Sequence, residues 1–313
     1  MIEEFGRELI GCACEAGVQD IYIIPLGEGY QIHFRRSECR KLWKEVSLEE
    51  TVTLIGHFKF LAGMNVGERR RPQLGSCLYD LGKKQVSLRL STVGDYRGLE
   101  SMVIRLLQDQ EMDLHFWNQS LSEVAEFVRG RGLYLFAGPV GSGKTTLMHA
   151  IARIKFSGSQ MMSIEDPVEV REDKMLQLQL NEAIGMTYDS LIKLSLRHRP
   201  DLLIIGEVRD CETARAAIRA ALTGTTVFTT IHARSVPGVY GRLLELGVTP
   251  EEMNQAVRGI CYQRLIHGGG VVDAVESDFI SHKPDAWNAQ IDALLQAGEI
   301  TDWEAQREKI ELG

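Results

Sequence analysis

The sequence predicts an α/β protein in two parts: an N-terminal α+β domain with its linker over residues 1–110, and a domain with a mainly parallel sheet over residues 111–313. Three observations carry that expectation. Mixed helical and strand patterning fills the first part, a polar stretch (Gln108-Asp109-Gln110-Glu111-Met112-Asp113) follows, and beyond it helices alternate with short apolar runs. Such alternation is the pattern of a parallel sheet covered on both faces. At roughly 150 residues per domain, the chain is long enough to bury two cores.

Each element has a local reason. Glu3 to Ala16 places Phe5, Leu9, Ile10 and Ala13 on one side of a helix. Ile21–Ile24 and Gln31–Phe34 read as strands around a hairpin turn at Gly27-Glu28-Gly29. Ser47, with Glu50 three residues on, has the form of a capping box and opens a helix to about Met64. Cys77–Leu81, Val86–Leu90 and Met102–Leu106 are further strands, with turns at Gly82-Lys83-Lys84 and near Gly94 and Gly98. In the second part, Leu121–Arg129, Thr145–Ile154, Thr187–Arg197 and Glu212–Leu222 read as helices. Gly132–Ala137, Met161–Ile164, Leu202–Ile205 and Thr226–Thr229 read as buried strands. Ala286–Leu295 has the pattern of an amphipathic helix, with Trp303 as a candidate anchor beyond it.

Composition narrows the function classes. Apolar residues make up 44% and charged residues 25%, which excludes wholesale disorder. A net charge of −8 argues against a protein that coats DNA, and no sequence-specific nucleic-acid binding is expected. Arg69-Arg70-Arg71, beside Glu68, reads as a solvated or domain-docking face. No apolar run reaches the ~18 residues of a membrane span, and the acidic N-terminus lacks the features of a signal peptide, so a soluble intracellular chain is expected. The cysteines (12, 14, 39, 77, 211 and 261) are scattered without a C-x2-C pair and read as reduced thiols, so no zinc site is expected.

Four motifs carry chemistry. Gly138-Pro139-Val140-Gly141-Ser142-Gly143-Lys144-Thr145 matches G-x-x-x-x-G-K-[ST] between a strand and a helix, the context that makes it a phosphate-binding loop. Its glycines let backbone N–H groups approach an anion at a helix N-terminus. Lys144 suits the β- and γ-phosphates and the Thr145 hydroxyl suits Mg²⁺, so the chain is expected to bind a nucleoside triphosphate. Leu202-Leu203-Ile204-Ile205-Gly206-Glu207 has the Walker B form, with Glu207 able to hold Mg²⁺ directly or through water. Ser163-Ile164-Glu165-Asp166-Pro167-Val168-Glu169 gathers three carboxylates at a strand end, either to activate water or as a solvated acidic turn. Thr223 to His232 reads as a strand delivering His232 to the same sheet edge, as a structural residue or as a sensor of the γ-phosphate.

Together these segments resemble the secretion and type IV pilus ATPase family. The matching pieces are GPVGSGKTT (through Thr146), the acidic box SIEDPVE, the Walker B region LRHRPDLLIIGEVRD and the histidine box LTGTTVFTTIHA. RRRPQLG, VSLRLSTVGDYRGLESMVIRLL and AVRGICYQRLI extend the likeness over residues 18–270. The larger assembly ATPases carry an extra N-terminal domain and a four-cysteine insert that this sequence lacks. The retraction motors continue their histidine box with Thr-Asn, where Ala233-Arg234 stand here. The variants are most similar to the competence pilus assembly ATPases of Gram-positive bacteria; retraction-type pilus motors and type II secretion ATPases are the alternatives, and a nucleic-acid motor ranks below them because of the acidic charge balance. The resemblance implies a PAS-like N-terminal domain and a RecA-like ATPase domain with a C-terminal helical tail. It further implies Mg²⁺-dependent ATP hydrolysis in a homo-oligomeric ring, a hexamer, working on a polytopic membrane platform protein from the cytoplasmic face of the membrane. By the same resemblance, Glu165 is the general base, Glu207 the Mg²⁺-associated acid and His232 the γ-phosphate reporter. Arg89 and Arg105 then serve a nucleotide in the adjacent subunit.

Overall fold

An antiparallel sheet organises the first part of the chain. Its strands are β1 (Asp20–Leu26), β2 (Gly29–Arg36), β3 (Cys39–Val46), β4 (Gln73–Asp80), β5 (Gln85–Gly94) and β6 (Glu100–Leu107), in the order β3-β2-β1-β6-β5-β4. The computed structural model describes residues 2–36, 39–82, 84–107, 114–168, 170–181 and 184–310, which fall into two compact units, 1–110 and 111–313. The polar stretch 108–113 lies outside the described residues, as do Lys83 of one predicted turn and Glu169 of the acidic box.

In the first unit, α1 (Ile2–Glu15) buries Leu9, Ile10 and Ala13, and α2 (Leu48–Leu61) buries Leu54, Ile55 and Phe58. The capping box is present: Ser47 Oγ accepts from the Glu50 N–H, and the Glu50 carboxylate accepts from the Ser47 N–H. Alternate residues of β5 (Val86, Leu88, Leu90) and β6 (Met102, Ile104, Leu106) complete the core. Buried Lys59 is satisfied by Glu100 at 2.6 Å and the Glu68 carbonyl at 2.5 Å. The sequence reading omits β3. That strand is an edge, mostly exposed and charged (CRKLWKEV), so it lacks the apolar alternation that marks a half-buried strand.

The second unit is built on a seven-stranded sheet. Its strands are β7 (Leu133–Ala137), β8 (Met161–Glu165), β9 (Met175–Gln179), β10 (Leu202–Glu207), β11 (Thr226–Ile231), β12 (Val257–Ile266) and β13 (Gly269–Val275). The order is β13-β12-β7-β11-β10-β8-β9, and every pairing is parallel except β12 with β13. Helices α3 (Leu121–Ala125) and α4 (Lys144–Lys155) line one core. Helices α5 (Tyr188–Arg197), α6 (Cys211–Leu222), α7 (Val236–Glu245), α8 (Pro250–Ala256), α9 (Asp285–Gln296) and α10 (Asp302–Glu308) contribute to the other. The pleat of β7 explains the division: Leu133, Leu135 and Ala137 enter one core, Tyr134 and Phe136 the other. Ala214, Ala217 and Ala221 give α6 a small-residue buried face, which permits close approach to its neighbours.

Two helical expectations change. The segment Leu121–Arg129 is helical only to Ala125, because a tight turn (Val128 N–H to the Ala125 carbonyl, 3.1 Å) turns Phe127 and Val128 into the core. In the tail, the anchoring indole is Trp287 rather than Trp303. Trp287 is buried, lies 4.9 Å from the Tyr262 ring and donates to the Glu308 carbonyl, whereas Trp303 is exposed beneath Arg307. Among the described residues, no helix is long and apolar enough to cross a membrane.

Candidate active site

The parallel strands β7, β8, β10 and β11 all end at one edge of the second sheet, where ligands of open α/β sheets bind. From β7 the chain enters Gly138–Gly143, turning on left-handed backbone at Gly138 (φ 147°), Gly141 (φ 77°) and Gly143 (φ 82°). A Cβ at Gly138 would come within 2.3 Å of the Gln263 carbonyl and 2.6 Å of Ser142 Oγ, so the first glycine is required by contact as well as by φ. Gly143 caps α4 without a side-chain hydrogen bond, which leaves first-turn N–H groups facing an incoming anion.

Lys144 is buried and folds across its own loop, donating to the Pro139 carbonyl at 2.7 Å. Among the described residues Ser142 Oγ is buried with no hydrogen-bond partner, a polar atom suited to a phosphate oxygen. Thr145 and Thr146 are in the first turn of α4, and Val140 projects from the loop, 87% exposed. Beside the loop, a cavity of about 630 Å³ is lined by Gly138, Pro139, His232, Arg234, Arg264 and Arg307 among others. Its cationic lining favours an anionic ligand, although Arg264 is engaged with Glu308 at 2.5 Å.

Glu207, the last residue of β10, is joined to the loop through His232. His232 Nε2 is 3.0 Å from Glu207 Oε1 and Nδ1 is 3.1 Å from the Gly138 carbonyl. Both ring nitrogens thus face acceptors, one on each side of the ring. Arg209 Nε donates to the other Glu207 oxygen at 2.8 Å. Tyr188 packs beside the same strand end, where its hydroxyl would meet a Cβ at Gly206 at 3.3 Å. Burial first, and then the charge of Asp166, push the Tyr188 hydroxyl up to about 12, which keeps it a neutral donor.

Glu165 ends β8 in a different setting. It is 3% exposed and accepts from Ser163 Oγ at 2.5 Å and Gln177 Nε2 at 3.2 Å, both on the same carboxylate oxygen. Of the acidic box, Glu165 is therefore enclosed while Asp166 is exposed to solvent. A buried carboxylate with one oxygen fixed by neutral donors is a preorganised proton acceptor.

Arg89 and Arg105 belong to the first unit, whereas the other candidate residues belong to the second. They are direct cross-strand partners on β5 and β6, on the sheet face opposite the core. Arg105 makes a two-point contact with Asp20 of β1, Nε to Oδ1 at 2.7 Å and a terminal nitrogen to Oδ2 at 3.3 Å.

Several contributors escape the sequence reading: Gln263 beneath the loop glycines, Arg209 on Glu207, Gln177 on Glu165, and His149 with Glu172 behind Glu165. One local signal exists for His149, a titratable residue inside the otherwise apolar stretch Leu147 to Ile151 of the loop helix.

Comparison with known proteins gives a consistent pattern. Residues 1–288 match the family described as "Type II/IV secretion system protein". The chain is 60% identical over 310 residues to "Competence protein ComGA" of Streptococcus pneumoniae, covering 99% of each chain. It is 39% identical over 272 residues to "Competence protein ComGA" of Bacillus subtilis, covering 85% of this chain and 76% of that one. Among solved structures, the pilus retraction motor PilT with bound ADP superposes with a TM-score of 0.78 over 97% of both chains. Identity there is 23%, so the shared property is the fold.

Proposed function

The chain belongs to the type II/IV secretion system protein family, and we propose that it is an ATP hydrolase that powers assembly of a competence pilus for DNA uptake. The observation that carries the hydrolase reading is a single sheet edge: an uncapped phosphate-loop helix after β7, with glutamates ending β8 and β10. Nearly full-length identity to a competence protein supports the pathway.

In this reading the loop amides and Lys144 hold the triphosphate, with Lys144 passing from the Pro139 carbonyl to phosphate oxygens. The residues present fit a Mg²⁺ ion: Thr145 and Glu207 offer oxygen ligands, and the phosphate loop holds a buried Ser142 Oγ with no hydrogen-bond partner among the described residues. When bound, Mg²⁺ neutralises charge on the β- and γ-phosphate oxygens. Glu165 takes the proton of the attacking water, and the products are ADP and phosphate. His232, spanning Glu207 and the Gly138 carbonyl, changes its contacts as the γ-phosphate leaves.

A homo-oligomeric ring, a hexamer, completes the proposal, attached to a polytopic membrane protein at the cytoplasmic face. Arg89 and Arg105 then act on a neighbour's nucleotide, with Arg105 exchanging Asp20 for phosphate. Mixing Arg89→Ala or Arg105→Ala protein with Lys144→Ala protein should restore part of the activity that each lacks alone. Exchanging rings that stay inactive at every ratio contradict the trans arrangement. For the pathway, Lys144→Ala in the native host should abolish both pilus fibres and DNA uptake. Cells that keep or accumulate fibres would instead indicate a retraction motor.

A further inference from the structure

His149 has no place in the scheme above, yet it is 1% exposed and both its ring nitrogens are buried without a hydrogen bond among the described residues. It sits on α4, little more than one turn past Lys144. Nε2 faces Glu165 Oε2 at 3.8 Å, and Nδ1 faces Glu172 Oε1 at 3.5 Å. Glu172 is held in turn by Arg153, one turn further along α4, at 2.6 Å. On the far side, Ser163 and Gln177 both bind Glu165 Oε1, so Oε2 is left to the imidazole. The ionisable groups facing the ring among the described residues are thus Glu165 from β8 and Glu172 from the segment before β9. Arg153 acts through Glu172, and Gln177 of β9 is uncharged.

A neutral ring can donate to only one of the two carboxylates; Glu172 would keep Arg153, but an uncompensated buried charge at Glu165 would cost several kcal/mol. A charged ring offers one N–H to each. We infer that His149 is a positioning residue: as an imidazolium it fixes the orientation of Glu165 for the hydrolytic step, and it ties that carboxylate to the helix that carries the phosphate loop. The acid–base balance agrees. Burial alone disfavours the charged ring, but Glu165 and Glu172 more than offset it, and the His149 pKa is raised above the ordinary imidazole value. The imidazolium thus persists to higher pH than a free imidazole would and is lost as pH rises through that raised pKa.

This inference rests on Glu165 being the proton acceptor, and the test separates the two. Steady-state ATP hydrolysis with Mg²⁺ is measured across pH for the full-length wild type, His149→Gln, Glu172→Gln and Glu165→Gln, with thermal midpoints recorded alongside. Wild-type kcat should fall on the alkaline side. His149→Gln should lower kcat about tenfold at neutral pH, leave KM within about twofold, and remove the alkaline limb. Glu172→Gln should keep the limb but move it to lower pH, because a group that raises the His149 pKa is gone. Should His149→Gln not fold, Glu172→Gln decides alone: a shifted limb supports the inference and an unmoved one overturns it. If Glu165→Gln is inactive while His149→Gln matches wild type in kcat and pH profile, His149 has no positioning role. If Glu165→Gln turns over normally, the assignment of the base has failed first, and this inference with it.

Discussion

Glu165 and Glu207 end neighbouring parallel strands of the same sheet, yet their surroundings have little in common. Glu165 is enclosed, one oxygen bonded to a hydroxyl and an amide, the other facing the His149 ring. Glu207 is more open, its side chain 18% exposed, and is bracketed by Arg209 and His232. The first setting fixes a carboxylate in one orientation away from bulk water, as proton abstraction needs. The second keeps a carboxylate beside the exposed Arg209 and His232 side chains, from which an oxygen can be released to a metal ion. Identical side chains at equivalent strand ends thus acquire different work from the residues behind them.

The contrast can be broken in order of expected effect. Glu165→Gln preserves shape and removes the base, so kcat should fall by about a thousandfold with nucleotide affinity retained. Turnover within a few-fold of wild type would erase the distinction. Glu207→Gln should cost about a hundredfold at ordinary Mg²⁺ and recover partly as Mg²⁺ is raised. A defect insensitive to Mg²⁺ would mean that Glu207 does more than hold the ion. Ser163→Ala removes a 2.5 Å donor from Glu165 alone, and should lower kcat about tenfold while the Mg²⁺ requirement stays as in wild type. A change in Mg²⁺ dependence in that variant would show that the two carboxylates act as one unit.

The parts of this site that were legible in sequence are those written contiguously. The phosphate loop needs glycines at fixed offsets after a strand, and the apolar run Leu202–Ile205 followed by Gly206-Glu207 marks a core strand that delivers a carboxylate at its end. Most supporting residues are not legible, since Gln263, Gln177, His149 and Glu172 are remote in sequence from what they touch; Arg209, two residues from Glu207, is the exception. Gln177 reaches Glu165 from an edge strand, β9, whose sequence Met-Leu-Gln-Leu-Gln has its apolar run broken by two glutamines. β12 pairs with β7 at the centre of the unit, but Arg258, Gln263 and Arg264 interrupt its apolar run. Its Gly259 marks close packing instead: a Cβ there would lie 2.8 Å from Phe127 and 2.9 Å from Tyr134. In the first unit, Arg89 and Arg105 could be read as residues of adjacent strands, but the Asp20 contact depends on β1 lying beside β6, a pairing no local pattern reveals.

The central claim is that Glu165 serves the water and Glu207 serves the metal. It is tested most directly by measuring ATP binding to Glu165→Gln and Glu207→Gln over a Mg²⁺ titration, with hydrolysis of the bound nucleotide followed in a single turnover. The account predicts that Glu165→Gln binds ATP with the wild-type Mg²⁺ dependence and leaves it uncleaved, whereas Glu207→Gln needs more Mg²⁺ and then cleaves what it binds. The reverse pattern, with Glu165→Gln cleaving and Glu207→Gln trapping intact ATP at every Mg²⁺ concentration, would contradict it.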